Sequence, residues 1–475
     1  MNSLALGHRL QASVTGPRWV LLGGTALVVG YLWFLTRAMN TWPYTSWLLI
    51  VLIPVLFVTG LVVIRLVTKN DDRPMVGLFG FALALKLGAS FIRFFVAFEL
   101  YGSGDSAQYH IDATARMNEF FAGQVTFVDL LTPRLGSKSV TDIAAIFYTL
   151  LGPSRLGGFV LFSWLGFWGL FLFCRAFRIA LPECDYRRYV LLVMFLPSLW
   201  FWPSSIGKEA LMIFSLGISA YGAARITQRM AGGWPVLVLG LVVGGIIRPH
   251  VSAVLLAALT VALLFRGNRN TDKGFGIAQR FFSVAVLMVG LAFAFGRTVD
   301  YIAPKDSFLI KDGQAIEAGT GIGAIGTAFE KATGGTAGGG SEIDRPMPNS
   351  PLQYPGAAFT VLFRPTILEA TNAQNIAAGA ETTLLLGIVF VSWRRFKNLP
   401  SLAFRRPYTL LCLVYTGIFC FAWSAFANLG ALARQRVQVW PFMLILLCLP
   451  QTASKLPKAT LDMNTAGQRR VLERR

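Results

Sequence analysis

Acidic residues are scarce in this 475-residue chain, which has 23 Asp and Glu against 43 Lys and Arg and a formal net charge of +20. Charge of either sign is also scarce, because only 14% of the residues are charged whereas 55% are hydrophobic, and the mean hydropathy is +0.58. In a soluble protein such a surplus of cations would indicate a nucleic-acid partner. Here the cations lie in short segments between long apolar runs, which is the positive-inside pattern of membrane proteins. The composition therefore predicts that the partner of this chain is a lipid bilayer and not nucleic acid.

Cysteine and histidine are rare as well, with five and three residues. The cysteines lie mostly in apolar runs, without CxxC spacing and without a nearby histidine cluster. This pattern is typical of small core residues and predicts neither a disulfide framework nor a metal site. The N-terminal segment has cations but no small-residue cleavage site after a short apolar core, so we expect no cleaved signal peptide. The cysteines are Cys174, Cys184, Cys412, Cys420 and Cys448.

The apolar runs predict an all-α, polytopic transmembrane helix bundle that forms a single domain over residues 1–475. When the N-terminus is placed inside, every short inner loop is basic, as the positive-inside bias requires. Both termini are then cytoplasmic. The predicted spans, about twelve in number, are 19–36, 46–66, 75–98, 156–174, 189–202, 209–224, 234–247, 251–265, 281–298, 377–393, 408–426 and 437–450.

The triplet Arg248-Pro249-His250 interrupts the otherwise uncharged run 234–265. The run is too long for one span of about 20 residues and too short for two, which need about 40. Because Pro249 cannot continue a straight helix, we expect a hairpin of two helices of about 14 to 16 residues each, or about 21–24 Å. Such arms are shorter than the hydrocarbon core of about 30 Å. The turn should therefore lie below the membrane surface, with its cation facing protein, water or a bound anion.

Two segments on the predicted outer side are long. Segment 99–155 is expected to be a loop with an amphipathic stretch at 113–121. Segment 299–376 is expected to be a second, larger loop with a glycine-rich tract at 332–341. Loops of this length between spans are usually functional or disordered.

Cations should be scarce on the outer side, so those predicted there are candidate substrate-binding residues. The alternative for each one is a side chain that snorkels at a helix end. An outer cationic pocket suits a lipid phosphate or pyrophosphate, because Arg can contact phosphate with two parallel donors and Lys as a point charge. The candidates are Lys208, Arg248, His250, Arg364, Arg434 and Arg436, together with Tyr109 in the first long outer segment.

Asp105 is the first candidate for a catalytic base, because neighbouring glycines would allow a ligand to approach the backbone closely. Its alternative role is that of a turn residue in a glycine-rich loop. Glu209 and Glu369 are competing candidates, and each has an alternative role as an ion-pair partner, of Lys208 and Arg364 respectively. His110 and Asp112 are expected to be loop residues.

The segment Gly104-Asp105-Ser106-Ala107-Gln108-Tyr109 resembles the Asp-containing first-loop motif of C-type membrane glycosyltransferases. In those enzymes the acidic loop follows the first span, whereas here it follows the third. The number of spans and the position of the largest outer loop look more like O-antigen polymerases and ligases. In that group outer arginines serve the lipid pyrophosphate, a role that could map onto Arg248, Arg364, Arg434 or Arg436. The runs 195–209 and 362–365 resemble an uncharacterised group of bacterial membrane proteins.

These resemblances imply transfer or polymerisation of a polyprenyl-(pyro)phosphate-linked saccharide at the outer face of the bacterial cytoplasmic membrane, in cell-envelope polysaccharide synthesis. The strongest competing hypothesis is a transporter or flippase for an anionic lipid or polysaccharide precursor. A third, a scaffold of an export assembly, would leave the outer cations unexplained. The chain shows no internal repeat, and its helix breaks lie near one face, which favours the enzyme over a transporter. The sequence leaves both the cofactor and the oligomeric state open.

Overall fold

A computed structural model of the chain describes residues 18–68, 73–102, 104–265, most of 284–298, 308–311, 314–317, 350–370, 373–426 and 428–451. Within these residues the regular structure is helical apart from one antiparallel ribbon of β1 (Phe308–Lys311) and β2 (Gln314–Glu317). The predicted helical architecture is thus confirmed for the described part of the chain, with the ribbon as the exception.

Among the described residues, five helices are long and apolar enough to cross a membrane: α1 (Arg18–Thr41), α2 (Tyr44–Val67), α3 (Arg73–Phe95) with its π-helical extension Val96–Leu100, α7 (Arg155–Ala180) and α10 (Lys208–Thr227). The other apolar helices are shorter. In chain order the helices are α1 (Arg18–Thr41), α2 (Tyr44–Val67), α3 (Arg73–Phe95), α4 (Asp105–Phe121), α5 (Phe127–Leu131), α6 (Ser137–Leu151), α7 (Arg155–Ala180), α8 (Tyr186–Phe195), α9 (Pro197–Phe201), α10 (Lys208–Thr227), α11 (Gly233–Ile247), α12 (Pro249–Leu264), α13 (Leu287–Thr298), α14 (Tyr354–Phe363), α15 (Ala373–Val391), α16 (Trp393–Phe396), α17 (Leu399–Arg405), α18 (Pro407–Trp423), α19 (Leu429–Gln435) and α20 (Trp440–Leu446).

Helices α7 and α10 form the centre of the bundle and are buried along most of their length. They pack against each other closely, because Gly169 of α7 and Gly217 of α10 let the two backbones touch. Helix α10 also packs on α11, and α7 on α3. Small residues at such contacts are typical of helix packing in membranes. The five cysteines are all buried in the core.

The predicted hairpin at Arg-Pro-His is confirmed. Helices α11 and α12 have 15 and 16 residues and meet at Arg248, which has φ −146° and ψ 87°. The hydroxyl of Ser252 donates a hydrogen bond to the carbonyl oxygen of Leu241 at 3.3 Å, so the chain folds back on itself. The two arms then diverge, because α11 packs on α10 and α12 packs on α18.

Two predicted spans are broken into short helices. Run 189–202 is divided between α8 and α9 at Pro197, which removes a backbone donor. Run 437–450 holds the end of a 3-10 turn, Arg436–Gln438, and the seven-residue helix α20, all of them buried. Neither run is a single regular helix.

Segment 99–155, predicted to be a loop, contains three helices, α4, α5 and α6. Helix α4 begins at Asp105 and not near residue 113, and buries Ser106, Tyr109, Ala113 and Met117 at helical spacing. Helix α6 packs along it with Val140, Ala144 and Tyr148 buried. Val140, Ala144 and Tyr148 are four positions apart and lie on one buried face, so this stretch packs as a helix and is not a loop. The glycine-rich tract 332–341 of the second long segment lies outside the described residues.

The two ends of the bundle differ. The basic segments that were predicted to be inner meet at one end. There the backbone N–H of Asp185 donates to the carbonyl oxygen of Cys448 at 3.0 Å, and Arg395 Nη1 donates to the carbonyl oxygen of Leu449 at 2.6 Å. At the opposite end the fold brings together the end of α3, the start of α4, the turn 202–207, the Arg248 turn and α19. The candidate functional site is at this second end.

Candidate functional site

Glu209 is the centre of an ion-pair network at this end of the bundle. It occupies the first turn of α10, and its side chain is only 5% exposed. Oxygen Oε1 accepts hydrogen bonds from Arg434 Nε at 2.8 Å and from Arg248 Nη2 at 3.0 Å. Two guanidinium groups therefore neutralise this carboxylate, and these arginines, not Lys208, are the ion-pair partners found for it.

Arg248 reaches Glu209 because the Pro249 break places it between two helices, where its side chain turns into the protein. Its second donor, Nη1, bonds to Oε1 of Gln435 at 2.7 Å. The same oxygen also accepts from Nε2 of Gln438 at 2.7 Å. The Arg248 side chain is thus buried among protein partners. The sequence predicted that this cation faces protein, water or a bound anion, and the partners found in the structure are protein side chains.

Arg434 connects Glu209 to a second carboxylate. Its Nη2 donates to Oδ2 of Asp105 at 2.9 Å, while its Nε bonds to Glu209. The negative charge of Glu209, followed by that of Asp105, raises the pKa of Arg434 above its usual range, so this side chain stays protonated. Asp105 is the first residue of α4 and is 61% exposed, so it combines an ordered helix N-terminus with access to solvent.

These side chains line a polar cavity of about 270 Å³. Its wall includes Asp105 and Tyr109 from α4, Glu209 from α10 and Arg434 from α19. Tyr109 is buried, and its hydroxyl interacts with Ser137. The sequence-predicted candidates Asp105, Tyr109, Glu209 and Arg434 therefore meet at one cavity, with Arg248 directly behind them.

A second, mostly apolar cavity of about 320 Å³ lies beside the first. Arg93, Tyr101 and Trp202 line both cavities. The remaining wall of the apolar cavity comes chiefly from α9, α15 and α19 and the residues next to them: Pro197, Ser198, Trp200, Phe201, Ala377, Ala378, Glu381, Thr382, Ala433, Arg436 and Trp440, with Val96 and Leu100 from the π-helical turn.

Buried charged side chains hold the short helix α9 at both ends. Glu381 of α15 accepts hydrogen bonds from the backbone N–H and the hydroxyl of Ser198 at 2.7 and 2.5 Å. Lys86 of α3 donates to the carbonyl oxygens of Leu199 and Trp200 at 2.9 and 3.0 Å. An acid at the N-terminus and a cation at the C-terminus satisfy the backbone groups that a helix leaves open there.

The sequence analysis missed Lys86, Arg93 and Glu381. Each one is a charged residue inside a predicted span, in runs 75–98 and 377–393. A charge at membrane depth is itself a signal of function or of a specific partner, so these positions could have been found.

Arg364 and Glu369 pair with each other. Arg364 Nε donates to Glu369 Oε1 at 2.6 Å, and Glu369 Oε2 also accepts from the backbone N–H of Thr366 at 2.9 Å. Arg436 is buried and donates to the carbonyl oxygens of Leu362 and Arg364. The structure thus shows Glu369 in the alternative role considered for it, as the ion-pair partner of Arg364. Neither residue lines the two described cavities.

Lys208 and His250 adjoin the network without lining the two described cavities. Lys208 begins α10 next to Glu209, and the ring of His250 lies 5.5 Å from that of Trp423. His110, expected in a loop, is in α4, where its Nδ1 lies 2.8 Å from the hydroxyl of Tyr148. Asp112 is also in α4 and accepts from Gln108 at 2.6 Å.

Comparison of the chain with protein-family models, with curated proteins and with solved structures finds no match. The chemistry of the site is therefore the available guide to function. Three arginines and two carboxylates lie in or against the wall of a polar cavity whose neighbour is apolar. This arrangement suits a ligand that joins an anionic group to an apolar chain.

Proposed function

We propose that this chain is a multi-pass protein of a bacterial cytoplasmic membrane that transfers or polymerises a polyprenyl-(pyro)phosphate-linked saccharide at the outer face. The observation that supports the proposal best is the pair of adjoining cavities, one polar with arginines and carboxylates and the other apolar. A lipid-linked saccharide has the same division into a polar anionic head and an apolar tail. In this proposal the chain has about twelve spans, both termini are cytoplasmic, and segments 99–155 and 299–376 lie outside.

In the proposed reaction Asp105 is the base. It is the more exposed of the two carboxylates in the polar cavity, and Arg434 is its hydrogen-bond donor within the described residues. Asp105 takes the proton of the acceptor hydroxyl, whose oxygen forms a bond to the anomeric carbon. The bond from that carbon to the phosphate oxygen breaks, and the lipid (pyro)phosphate leaves with the electron pair. Arg434 stabilises the charge that develops on the leaving group.

Glu209 has a positioning role in this scheme. Because two guanidinium groups bind its carboxylate, it is a weak proton acceptor. It holds Arg434 between the two carboxylates, so that this arginine has one orientation at the cavity wall. Arg248 supports Glu209 from behind and is itself held by Gln435.

The variant Asp105→Asn tests the proposal, because it keeps the size of the side chain and removes the base. We expect saccharide transfer by the purified protein to fall about 100-fold or more, while the lipid donor still binds. Transfer is measured by the mass of the saccharide products, and donor binding by native mass spectrometry of the protein–lipid complex. Asp112→Asn is the matched control, because Asp112 lies on the same helix and does not line the two described cavities.

Three results would contradict the proposal in different ways. Unchanged transfer by a stably folded Asp105→Asn protein would exclude Asp105 as the base. Absence of both bound polyprenyl (pyro)phosphate and transfer in the parent protein would overturn the proposed function as a whole. If the reconstituted parent carried a labelled lipid donor across the bilayer and left it chemically unchanged, the protein would be a transporter.

A further inference from the structure

Arg93 lies where the two cavities meet and lines both of them. Its guanidinium carbon lies 5.0 Å from the ring centroid of Phe201 and 4.9 Å from that of Trp202. These two aromatic contacts stabilise the cation and restrict its position. Arg93 comes from the last turns of α3, so the long helix anchors its backbone as well.

The Nε–H of Arg93 is buried, and no described residue accepts a hydrogen bond from it. The nearby carboxylates already have other donors, since Arg434 binds both Asp105 and Glu209. A buried donor without an acceptor is unfavourable, whereas a bound anion would satisfy it. Arg93 thus provides a buried donor at this boundary that has no acceptor among the described residues.

The apolar cavity next to Arg93 has a preformed wall. Phe201 and Trp202 belong to or follow α9, which Glu381 and Lys86 hold at its two ends. Its opposite side comes from α15, where the small side chains of Ala377 and Ala378 leave space. A hydrocarbon chain entering this space buries apolar surface against rings that are already ordered, so little conformational entropy is lost.

We infer that Arg93 binds the phosphate next to the lipid tail, that the prenyl chain occupies the apolar cavity, and that the saccharide extends into the polar cavity toward Asp105. This inference rests on the proposed function and adds the direction in which the substrate lies. The support is charge complementarity: a cation whose Nε–H has no acceptor among the described residues is located at the boundary between an apolar and a polar space, which is where a lipid phosphate joins its tail to its head.

In this arrangement the apolar cavity selects lipid phosphates over free phosphates, and Arg93 selects them over uncharged lipids. A free pyrophosphate would contact the arginines but leave the apolar cavity empty. An uncharged prenyl alcohol would fill the apolar cavity but leave the Nε–H of Arg93 without an acceptor. A ligand that has both parts should bind more tightly than either of the others.

Binding of farnesyl pyrophosphate, inorganic pyrophosphate and farnesol to the full-length protein in nanodiscs tests the inference by titration calorimetry. The parent should bind farnesyl pyrophosphate more tightly than the other two ligands. Arg93→Gln should weaken the binding of farnesyl pyrophosphate about 10-fold or more, the range expected for charge-assisted hydrogen bonds. Arg93→Lys should recover part of the loss, because Lys keeps the charge without the planar fork.

Two further variants separate a local effect from misfolding. Ala378→Phe fills the apolar cavity without changing a charge and should weaken farnesyl pyrophosphate while leaving inorganic pyrophosphate unaffected. Arg225→Gln is the matched control, because Arg225 also lies over an aromatic ring, that of Tyr221 at 5.7 Å, but at the opposite end of the bundle. It should bind all three ligands like the parent.

The outcomes distinguish the inference from the proposed function. If the parent binds farnesyl pyrophosphate and both Arg93→Gln and Ala378→Phe bind it equally well, the inferred orientation is wrong and the proposed function stands. If the parent binds neither farnesyl pyrophosphate nor a long-chain polyprenyl pyrophosphate, both are wrong. Selective loss in Arg93→Gln and Ala378→Phe, with normal binding in Arg225→Gln, supports the inference.

Discussion

Glu209, Arg248 and Arg434 form a buried ion-pair network whose members come from three separate parts of the chain. Arg248 was predicted to be available to an anionic lipid, yet it bonds to Glu209 and Gln435. The reason is that a buried guanidinium needs acceptors for its donors, and the fold supplies them. The phosphate-binding role predicted for Arg248 is replaced in our proposal by support of Glu209.

Glu209→Gln should destabilise the protein strongly. The substitution leaves two arginines without their shared carboxylate, and the loss of one partner from a buried ion pair costs about 3–5 kcal/mol in the free energy of unfolding. Unfolding of the purified protein in detergent, followed by circular dichroism against denaturant, measures the change. The control Glu99→Gln alters an exposed carboxylate near the end of α3 and should leave stability unchanged. Equal stability of the two variants would contradict the structural role of Glu209.

His110 should make stability depend on pH. Burial, followed by the positive charge of Arg155, lowers the pKa of His110 to about 4. Between its ordinary pKa of about 6.5 and pH 4, the unfolded chain binds a proton that the folded protein does not bind. The contribution of His110 to the free energy of unfolding is therefore fully present above pH 6.5 and is lost as the pH falls toward 4.

In His110→Gln this contribution is absent, so the variant should lose less stability than the parent between pH 6.5 and 4. The comparison requires melting temperatures of both proteins across this range, since the carboxylates that also titrate are common to both. Parallel curves for the two proteins would show that His110 does not titrate as the geometry indicates.

At the scale of elements, the helices coincide with the predicted apolar runs where the chain is regular and differ from them in runs 189–202 and 437–450, which contain Pro197 and Pro441. The short helix α9 is stable because Lys86 and Glu381 satisfy its open ends, and these partners come from α3 and α15. The hairpin of α11 and α12 was predictable because Pro249 is a local signal, whereas the partners of α9 are distant in sequence.

Helices α7 and α10 provide a prediction about packing. A Cβ atom on Gly217 would overlap the carbonyl group of Gly169, so Gly217→Ala must push the two helices apart. We expect a loss of about 1–3 kcal/mol in the free energy of unfolding. Gly88→Ala in α3 is the control, because nothing lies within 4 Å of its Cβ position. That variant should be neutral or more stable by up to about 1 kcal/mol, through helix propensity.

Both variants are compared by thermal unfolding in the same detergent. Equal thermal stability of Gly217→Ala and Gly88→Ala would show that the contact between α7 and α10 is looser than described.

At the scale of the whole molecule, one end of the bundle carries the candidate site and the other the basic segments near Asp185 and Arg395. This separation agrees with the charge bias that led us to place the termini and the basic loops inside. In the proposed orientation the site faces outward, so the two ends should differ in access from the cell exterior.

Single engineered cysteines test the orientation, and the buried native cysteines should contribute little background. Leu368 in the second long segment is 93% exposed, and Met230 between α10 and α11 is 43% exposed. An impermeant maleimide added to intact cells should label Leu368→Cys and label Met230→Cys only after permeabilisation. The reverse pattern would invert the proposed topology and place the candidate site on the inner side.

Composition and local pattern by themselves determined that the chain is helical with apolar helices suited to a membrane, where most helices lie and where Arg-Pro-His breaks one apolar run. They could do so because hydropathy, helix length and the effect of proline depend on neighbouring residues in the chain. They also selected Asp105, Glu209, Tyr109 and Arg434 as candidates, from residue type and expected side of the membrane.

Only the tertiary structure decided which of these residues lie together. Arg434 is 225 residues from Glu209 and 329 from Asp105, and no local pattern specifies such pairs. The fold likewise paired Arg364 with Glu369, turned Arg248 inward, and placed Arg93 between two cavities. The physical reason is that a buried charge needs a partner. The packing of the helices decides which residue is close enough to be that partner, and this packing depends on the whole chain.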